Sequence, residues 1–154
     1  MKPETLEIKA AIQISKAASE VFEAIVDPAS MSNYFISQGS GRLEEGKKII
    51  WKFPEFDAEA PIRVGKIEKN KYISFFWDSD KIETLVEMNL TPRKANQSTL
   101  VAITEKSMEN NEAGIKWLMG NTEGWANFLA CLKAYLEYGI NLRKGGFDYM
   151  AEKD

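Results

Sequence analysis

The sequence contains no histidine at all and a single cysteine, Cys131. Without histidine there is no Ser-His-Asp triad, no Cys-His dyad and no imidazole-ligated zinc. One cysteine excludes an intramolecular disulfide and any multi-cysteine metal site. No side chain starts with a pKa near neutrality, so acid–base catalysis would need a strongly perturbed carboxylate, lysine or tyrosine. No apolar run approaches the ~20 residues that a membrane helix requires. The start, Met1-Lys2-Pro3-Glu4-Thr5, lacks the apolar centre of a signal peptide, which predicts a cytoplasmic protein. A net charge of −3 offers no electrostatic attraction to nucleic acid or to an anionic membrane. No cofactor motif is present: Ser40 and its flanking glycines lack the lysine and the strand–helix setting of a phosphate loop.

What is present is an apolar content of 44% spread over 154 residues, enough for a single domain, 1–154, with one sizeable core. Leu6 to Ile14 alternates, with Ile8, Ala10, Ile12 and Ile14 on one face, as a half-buried strand does. Val21, Phe22, Ile25 and Val26 then share one helical stripe. Asp27-Pro28 has the chemistry of an N-cap followed by a first-turn proline, and predicts a second short helix through Met31, Tyr34 and Phe35. Gly39-Ser40-Gly41 breaks it, and a strand-rich block follows. Ile49, Trp51 and Phe53 alternate; Pro54 and Pro61 bracket a loop; Ile62 to Ile67 reads as a strand. Ile73, Phe75 and Trp77 share a face of the next, and Asp78-Ser79-Asp80 turns the chain. Val86, Met88 and Leu90 precede a loop from Pro92 to Gln97, and Thr99, Val101 and Ile103 share a face of the last strand.

From about Glu112 to Tyr138 the spacing is helical, about seven turns at 3.6 residues per turn. Trp117, Asn121, Trp125, Phe128, Leu129, Leu132 and Leu136 form its stripe, with Lys116, Glu123, Lys133 and Glu137 largely opposite. Gly139 is placed to end it. Gly120 and Gly124 weaken its first half, which suggests close backbone contact or a kink. The order is β-α-α, five to six further strands, then α. It predicts an α+β helix-grip fold, a curved antiparallel sheet of six to seven strands around a long C-terminal helix.

Several segments resemble one family. They are Glu123-Gly124-Trp125, Leu132-Lys133-Ala134-Tyr135-Leu136-Glu137-Tyr138-Gly139, Val21-Phe22-Glu23-Ala24-Ile25 before Asp27-Pro28, and Ser74-Phe75-Phe76-Trp77-Asp78. With the element order they resemble homologues of the activator of the heat-shock chaperone ATPase, a branch of the START-like and polyketide-cyclase superfamily. The resemblance runs from about Ile8 to Arg143. One departure is Tyr34 before Phe35, where relatives commonly carry a tryptophan. The resemblance implies the fold and a cavity for a small apolar ligand, and it implies no activity by itself.

The residues set apart as ligand-binding candidates are Tyr34, Trp51, Phe53, Phe75, Trp77, Glu105, Trp117, Trp125 and Phe128. The aromatics either line a pocket or simply fill a core, and core filling is the commoner use of alternating aromatics. Glu105 continues the Thr99, Val101, Ile103 face, so it either supplies one polar group to a pocket or emerges at the sheet end into water. Tyr34 either closes the mouth of a cavity or packs inertly. Cys131 reads as a buried structural thiol, with no histidine to activate it. Asp57, Glu59, Asp78 and Asp80 lack calcium-loop spacing and read as solvated turns. Asn96-Gln97-Ser98 matches a glycosylation sequon by chance.

The function expected first is non-catalytic binding of a small hydrophobic molecule between sheet and helix, with neither metal nor cofactor. A chaperone-associated interaction module comes second. A cyclase or hydratase acting on polyketide-like substrates comes third, with Glu105 and Tyr34 as the only groups suited to it.

Overall fold

The computed structural model describes residues 3–79 and 81–151. Met1 and Lys2 of the N-terminal reading, and Asp80 of the predicted turn and loop carboxylates, lie outside the described residues. Seven strands form one antiparallel sheet: β1 (Thr5–Ile14), β2 (Gln38–Gly39), β3 (Lys48–Lys52), β4 (Glu59–Glu68), β5 (Tyr72–Ser79), β6 (Ile82–Arg93) and β7 (Ser98–Glu109). Their order across the sheet is β1-β7-β6-β5-β4-β3-β2. Helices α1 (Ala18–Val26) and α2 (Pro28–Met31) follow β1, and α3 (Glu112–Tyr138) follows β7. This is the helix-grip architecture, with the curved sheet wrapped around the long C-terminal helix.

Period-two alternation sets the inner face of the sheet. Ile8, Ile14, Ile49, Trp51, Ile62, Val64, Ile73, Phe75, Val86, Met88, Val101 and Ile103 are all buried on it. Two irregularities help the sheet curve. Between Leu6 and Glu7 the register with β7 skips Ser107, which adopts φ 92°. Between Val64 and Ile67 strand β4 carries one residue more than β5. Bulges of this kind bend and twist a strand locally.

The caps follow the side-chain chemistry. Asp27 accepts from the Ala29 amide at 3.3 Å, and Asn111 accepts from Gly114 at 2.8 Å to start α3. Gly139 ends α3 in the left-handed region at φ 66°, with its amide on the Tyr135 carbonyl.

Four details differ from the sequence reading. Helix α2 stops at Met31, and Ser32 to Phe35 continue as turns closed by the Phe35 amide on the Met31 carbonyl at 2.8 Å. Gln38–Gly39 adds a two-residue strand opposite Lys52 and Trp51. Pro61 is not in a loop: it pairs with Ile50 in the part of β4 that β5 does not reach, an edge-like position that tolerates a missing N–H. Pro92 likewise lies inside β6, opposite Thr99.

On α3, Trp117, Trp125, Phe128, Leu129 and Leu132 are buried as the spacing requires. Lys133 and Glu137 are not simply solvated. Lys133 Nζ donates to the Gln13 carbonyl at 2.8 Å, and Glu137 accepts from the Ser15 amide at 3.0 Å, tying the helix to β1.

Candidate functional site

The aromatic side chains of the two faces meet in one cluster. Phe35 is its hub, edge-on to Trp51 (5.6 Å between ring centroids), Phe53 (5.2 Å) and Phe128 (4.7 Å). Trp125 sits 5.3 Å from Phe128 and 5.5 Å from Trp77. Such pairs add about 0.5–1.5 kcal/mol each beyond burial of their area. The cluster has two layers. Trp51, Phe75 and Phe128 are buried in the interior, whereas Phe53 and Trp77 are only half-buried.

Outside the second layer the packing stops short. A cleft of about 340 Å³ opens there, walled by Phe35, Phe53, Phe56, Trp77 and Trp125. Gly120, Asn121, Gly124 and Asn127 of α3 line it from one side, and Arg143, Phe147 and Met150 line it from the segment after α3. That segment turns at Gly139, passes through Gly145 at φ 76° and ends in a turn of 3-10 helix over Asp148–Met150. It forms a strap across the end of the helix–sheet interface. Arg143 fastens it: one guanidinium nitrogen lies 2.7 Å from the Glu55 carboxylate, and the group sits 4.9 Å from the Phe147 ring centre. Glu55 is itself buried in the loop between β3 and β4, so the ion pair clasps loop to strap.

Glu105 does not emerge into water; it is 0% exposed. Its carboxylate accepts from Trp77 Nε1 at 2.9 Å, Thr84 Oγ1 at 2.6 Å, Trp125 Nε1 at 2.8 Å and Asn121 Nδ2 at 3.2 Å. Indole N–H and amide NH₂ groups only donate, so an acceptor-only carboxylate is the right partner for all of them. Both indole N–H groups therefore point away from the cleft, which receives the apolar parts of the rings. Glu105 fixes the wall from behind and is not itself part of the lining.

The sequence-named residues thus divide. Phe53, Trp77 and Trp125 line the cleft; Trp51, Phe75 and Phe128 back it. Tyr34 does not close its mouth. It is buried, donates to the Ala24 carbonyl at 2.8 Å, and stacks on Tyr135 at 5.7 Å. Burial pushes its phenol well above the usual tyrosine range. Trp117 is buried apart from the cleft lining, and its Nε1 finds no partner among the described residues. Burial also raises the Cys131 thiol, which disfavours the nucleophilic thiolate. Asn96 accepts from the Ala18 amide at 3.1 Å, at the start of α1. Asp57 is exposed in a loop, but Glu59 and Asp78, also exposed, are not turn residues: Glu59 opens β4 and Asp78 pairs with Glu83 within β5. Among the described residues no acidic group assembles with the geometry to hold a metal ion.

Sequence reasoning does not name nine of the lining residues as candidates: Phe35, Phe56, Gly120, Asn121, Gly124, Asn127, Arg143, Phe147 and Met150. Phe35, Gly120, Asn121 and Gly124 enter it only as parts of helices, and Phe56, Arg143, Phe147 and Met150 lie in loops or in the strap, where no period marks a face. The only usable signal was the apolar residues interrupting the polar, glycine-containing segment after Gly139.

Residues 16–137 match the model of the family described as Activator of Hsp90 ATPase homolog 1-like protein. The chain belongs to that family. This family member is similar to protein SSP2350 from Staphylococcus saprophyticus. The identity is 33% over 90% of this chain and 96% of that one, with a TM-score of 0.78. It also resembles the Aha1 dimer of Colwellia psychrerythraea (20% identity, 87% of this chain and 98% of that one, TM-score 0.74). DynU16, from the dynemicin biosynthetic locus, aligns at 22% identity and TM-score 0.76 over 87% of this chain but only 48% of its own length. At those identities the last two establish the fold alone. No curated protein matches the chain. Among the described residues no helix is long and apolar enough to cross a membrane.

Proposed function

We propose that this family member binds a small hydrophobic molecule, without covalent chemistry, in the cleft between sheet, α3 and strap. The observation that carries the reading is the cleft itself, about 340 Å³ with walls of Phe35, Phe53, Phe56, Trp77 and Trp125. That volume lies within the range of about 300–1,000 Å³ usual for small-molecule sites. The few polar groups at its edge, Asn121, Asn127 and Arg143, suit the orientation of a ligand rather than its conversion. The two groups that a cyclase or hydratase would use are committed elsewhere. Glu105 accepts from Trp77, Thr84, Asn121 and Trp125 behind the wall, and the Tyr34 hydroxyl is spent on Ala24.

Titration with the flat apolar dye Nile red tests the reading. Binding should quench the emission of Trp77 and Trp125, and it should persist in high salt, because burial of apolar area is not screened. Phe147→Asp should weaken it. No quenching in the wild-type protein, or equal binding by that variant, would remove the cleft as the site.

A second reading, docking to a heat-shock chaperone, is favoured by Tyr138, Ile140, Leu142 and Tyr149, large apolar side chains exposed on and beside the strap. A chaperone ATPase rate unchanged by saturating protein would dispose of it.

A further inference from the structure

In a cleft with few polar groups, the direction in which each one offers its hydrogen bonds decides which ligands are matched. Trp77 and Trp125 turn their Nε1–H groups to Glu105, at 2.9 and 2.8 Å, and offer the cleft no donor. Arg143 is paired with Glu55 at 2.7 Å, and its Nε is sealed from solvent. The lining residues of α3 lie inside the helix, which uses their main-chain N–H groups itself. What remains is two side-chain amides, Asn121 and Asn127. The Asn127 amide is tied to nothing among the described residues, so it can turn either end to a ligand and favours neither.

Asn121 has no such freedom. Its Nδ2 donates to Glu105 Oε1 at 3.2 Å. The two ends of an amide differ in kind, and the partner decides which end faces it. Each oxygen of Glu105 also accepts an indole N–H, Oε1 from Trp125 and Oε2 from Trp77. The carboxylate is therefore the acceptor, and the Asn121 nitrogen turns to it. Oδ1 is then directed away from Glu105, on a half-buried residue that lines the cleft. It accepts from no group among the described residues. The unmatched polar side-chain atoms sealed from solvent are Trp117 Nε1 and Arg143 Nε; Asn121 Oδ1 is not one of them, so it is open to a ligand.

We propose that Asn121 is a specificity-determining residue of the cleft: it presents Oδ1 as a fixed acceptor, so the ligand is an aromatic ring that carries a hydrogen-bond donor such as a phenolic hydroxyl. This rests on the ligand-binding reading above and adds the polar group that the ligand must carry. Glu105 sets the direction of the amide from behind, and the rings of Phe53, Trp77 and Trp125 receive the apolar remainder.

Calorimetric titration with naphthalene, 2-naphthol and 2-methoxynaphthalene tests the assignment, because the three share one ring system and only the naphthol donates. Wild-type protein should bind 2-naphthol about three- to tenfold more tightly than either of the others, the ratio that one net hydrogen bond gives. Asn121→Leu puts an apolar side chain of similar size in the wall. It should bind naphthalene and the ether about as wild type does and lose the preference for naphthol. A second readout needs no variant: in wild-type protein carrying isotope-labelled asparagine, the Asn121 carboxamide carbon resonance should move with naphthol and stay in place with the ether. Equal affinities for naphthol and ether, a preference that survives in Asn121→Leu, or an unmoved Asn121 resonance each overturn the assignment. Nile red has no donor, so quenching by it alongside any of those results leaves the cleft as the site. A wild-type protein that binds neither Nile red nor any of the naphthalenes sinks the ligand-binding reading along with this one.

Discussion

The two halves of α3 face the same sheet with the same kind of amphipathic stripe, yet they meet it differently. Around Phe128, Leu129 and Leu132 the interface is solid; Phe128 is 0% exposed, with the rings of Tyr34, Phe35 and Trp125 about it. One or two turns earlier, Gly120, Asn121 and Gly124 replace large side chains and the interface opens into the cleft. The comparison shows that helical spacing decides which face turns inward, but not whether the space opposite is filled. Filling depends on side-chain volume at each turn and on what other segments bring. On the open side the other segment is the strap, which roofs the gap with Phe147 and Met150 instead of plugging it.

If that contrast is real, truncation should cost most in the solid half. Phe128→Ala should lose about 3–5 kcal/mol by urea denaturation, the range for a buried aromatic whose cavity cannot collapse. Phe56→Ala, at an exposed position on the cleft wall, should stay within about 0.5 kcal/mol. Similar losses at both sites would erase the distinction between a packed half and an open one.

The boundary between the halves is Glu105, and its removal comes next in size. In Glu105→Leu the donors of Trp77, Trp125, Thr84 and Asn121 lose a shared acceptor, and each buried donor left unmatched costs about 1–3 kcal/mol. Relaxation of the half-buried Trp77 and Asn121 toward water should hold the total near about 2–4 kcal/mol. Tryptophan emission should shift to the red as those rings loosen. A loss under about 1 kcal/mol with unchanged emission would mean that the carboxylate does not hold the cleft wall.

How much of this was legible follows from where periodicity exists. The β1 faces, the α1 stripe, the Asp27 cap, the Gly139 stop and the span of α3 all come from short-range spacing and capping chemistry, which a sequence displays directly. Trp77, Trp125 and Phe53 were placed on inward faces for the same reason. Their division into cleft lining and backing was not legible, because it depends on how far the sheet diverges from the helix. The alternation leaves Glu105 either inward or at the sheet end in water, and the length of β7 decides between them: it runs on to Glu109 past the bulge at Ser107 and keeps Glu105 inward. The prolines misled in the opposite direction. Pro61 and Pro92 look like loop punctuation, but each occupies a position where the strand can dispense with its N–H. The strap, with its Arg143 clasp to a residue 88 positions earlier in the chain, offers no local pattern to read.

The smallest effect belongs to the outer side of the sheet, and it checks that the contrast along α3 is one of packing and not of charge. Glu87 on β6 lies 2.8 Å from Lys106 on β7 and also accepts from the Tyr72 hydroxyl. Its carboxyl is held below the ordinary value of 4.5, first by the hydrogen bond from Lys106 and then by that from Tyr72, against a smaller cost of burial. The folded protein therefore binds this proton less readily than the unfolded chain does. The stabilisation is fully present above the unfolded value and is lost as pH falls through the lower folded one. Lys106 is largely exposed, so solvent screening keeps the pair at about 0.2–1 kcal/mol. Urea midpoints for wild type and Glu87→Gln should differ by that amount near neutrality and converge as the solution is acidified below 4.5. A gap that widens on acidification would reverse the sign argued here. A gap as large as that of Phe128→Ala would mean that charge on the outer face rivals the packed half of α3 in holding the fold together.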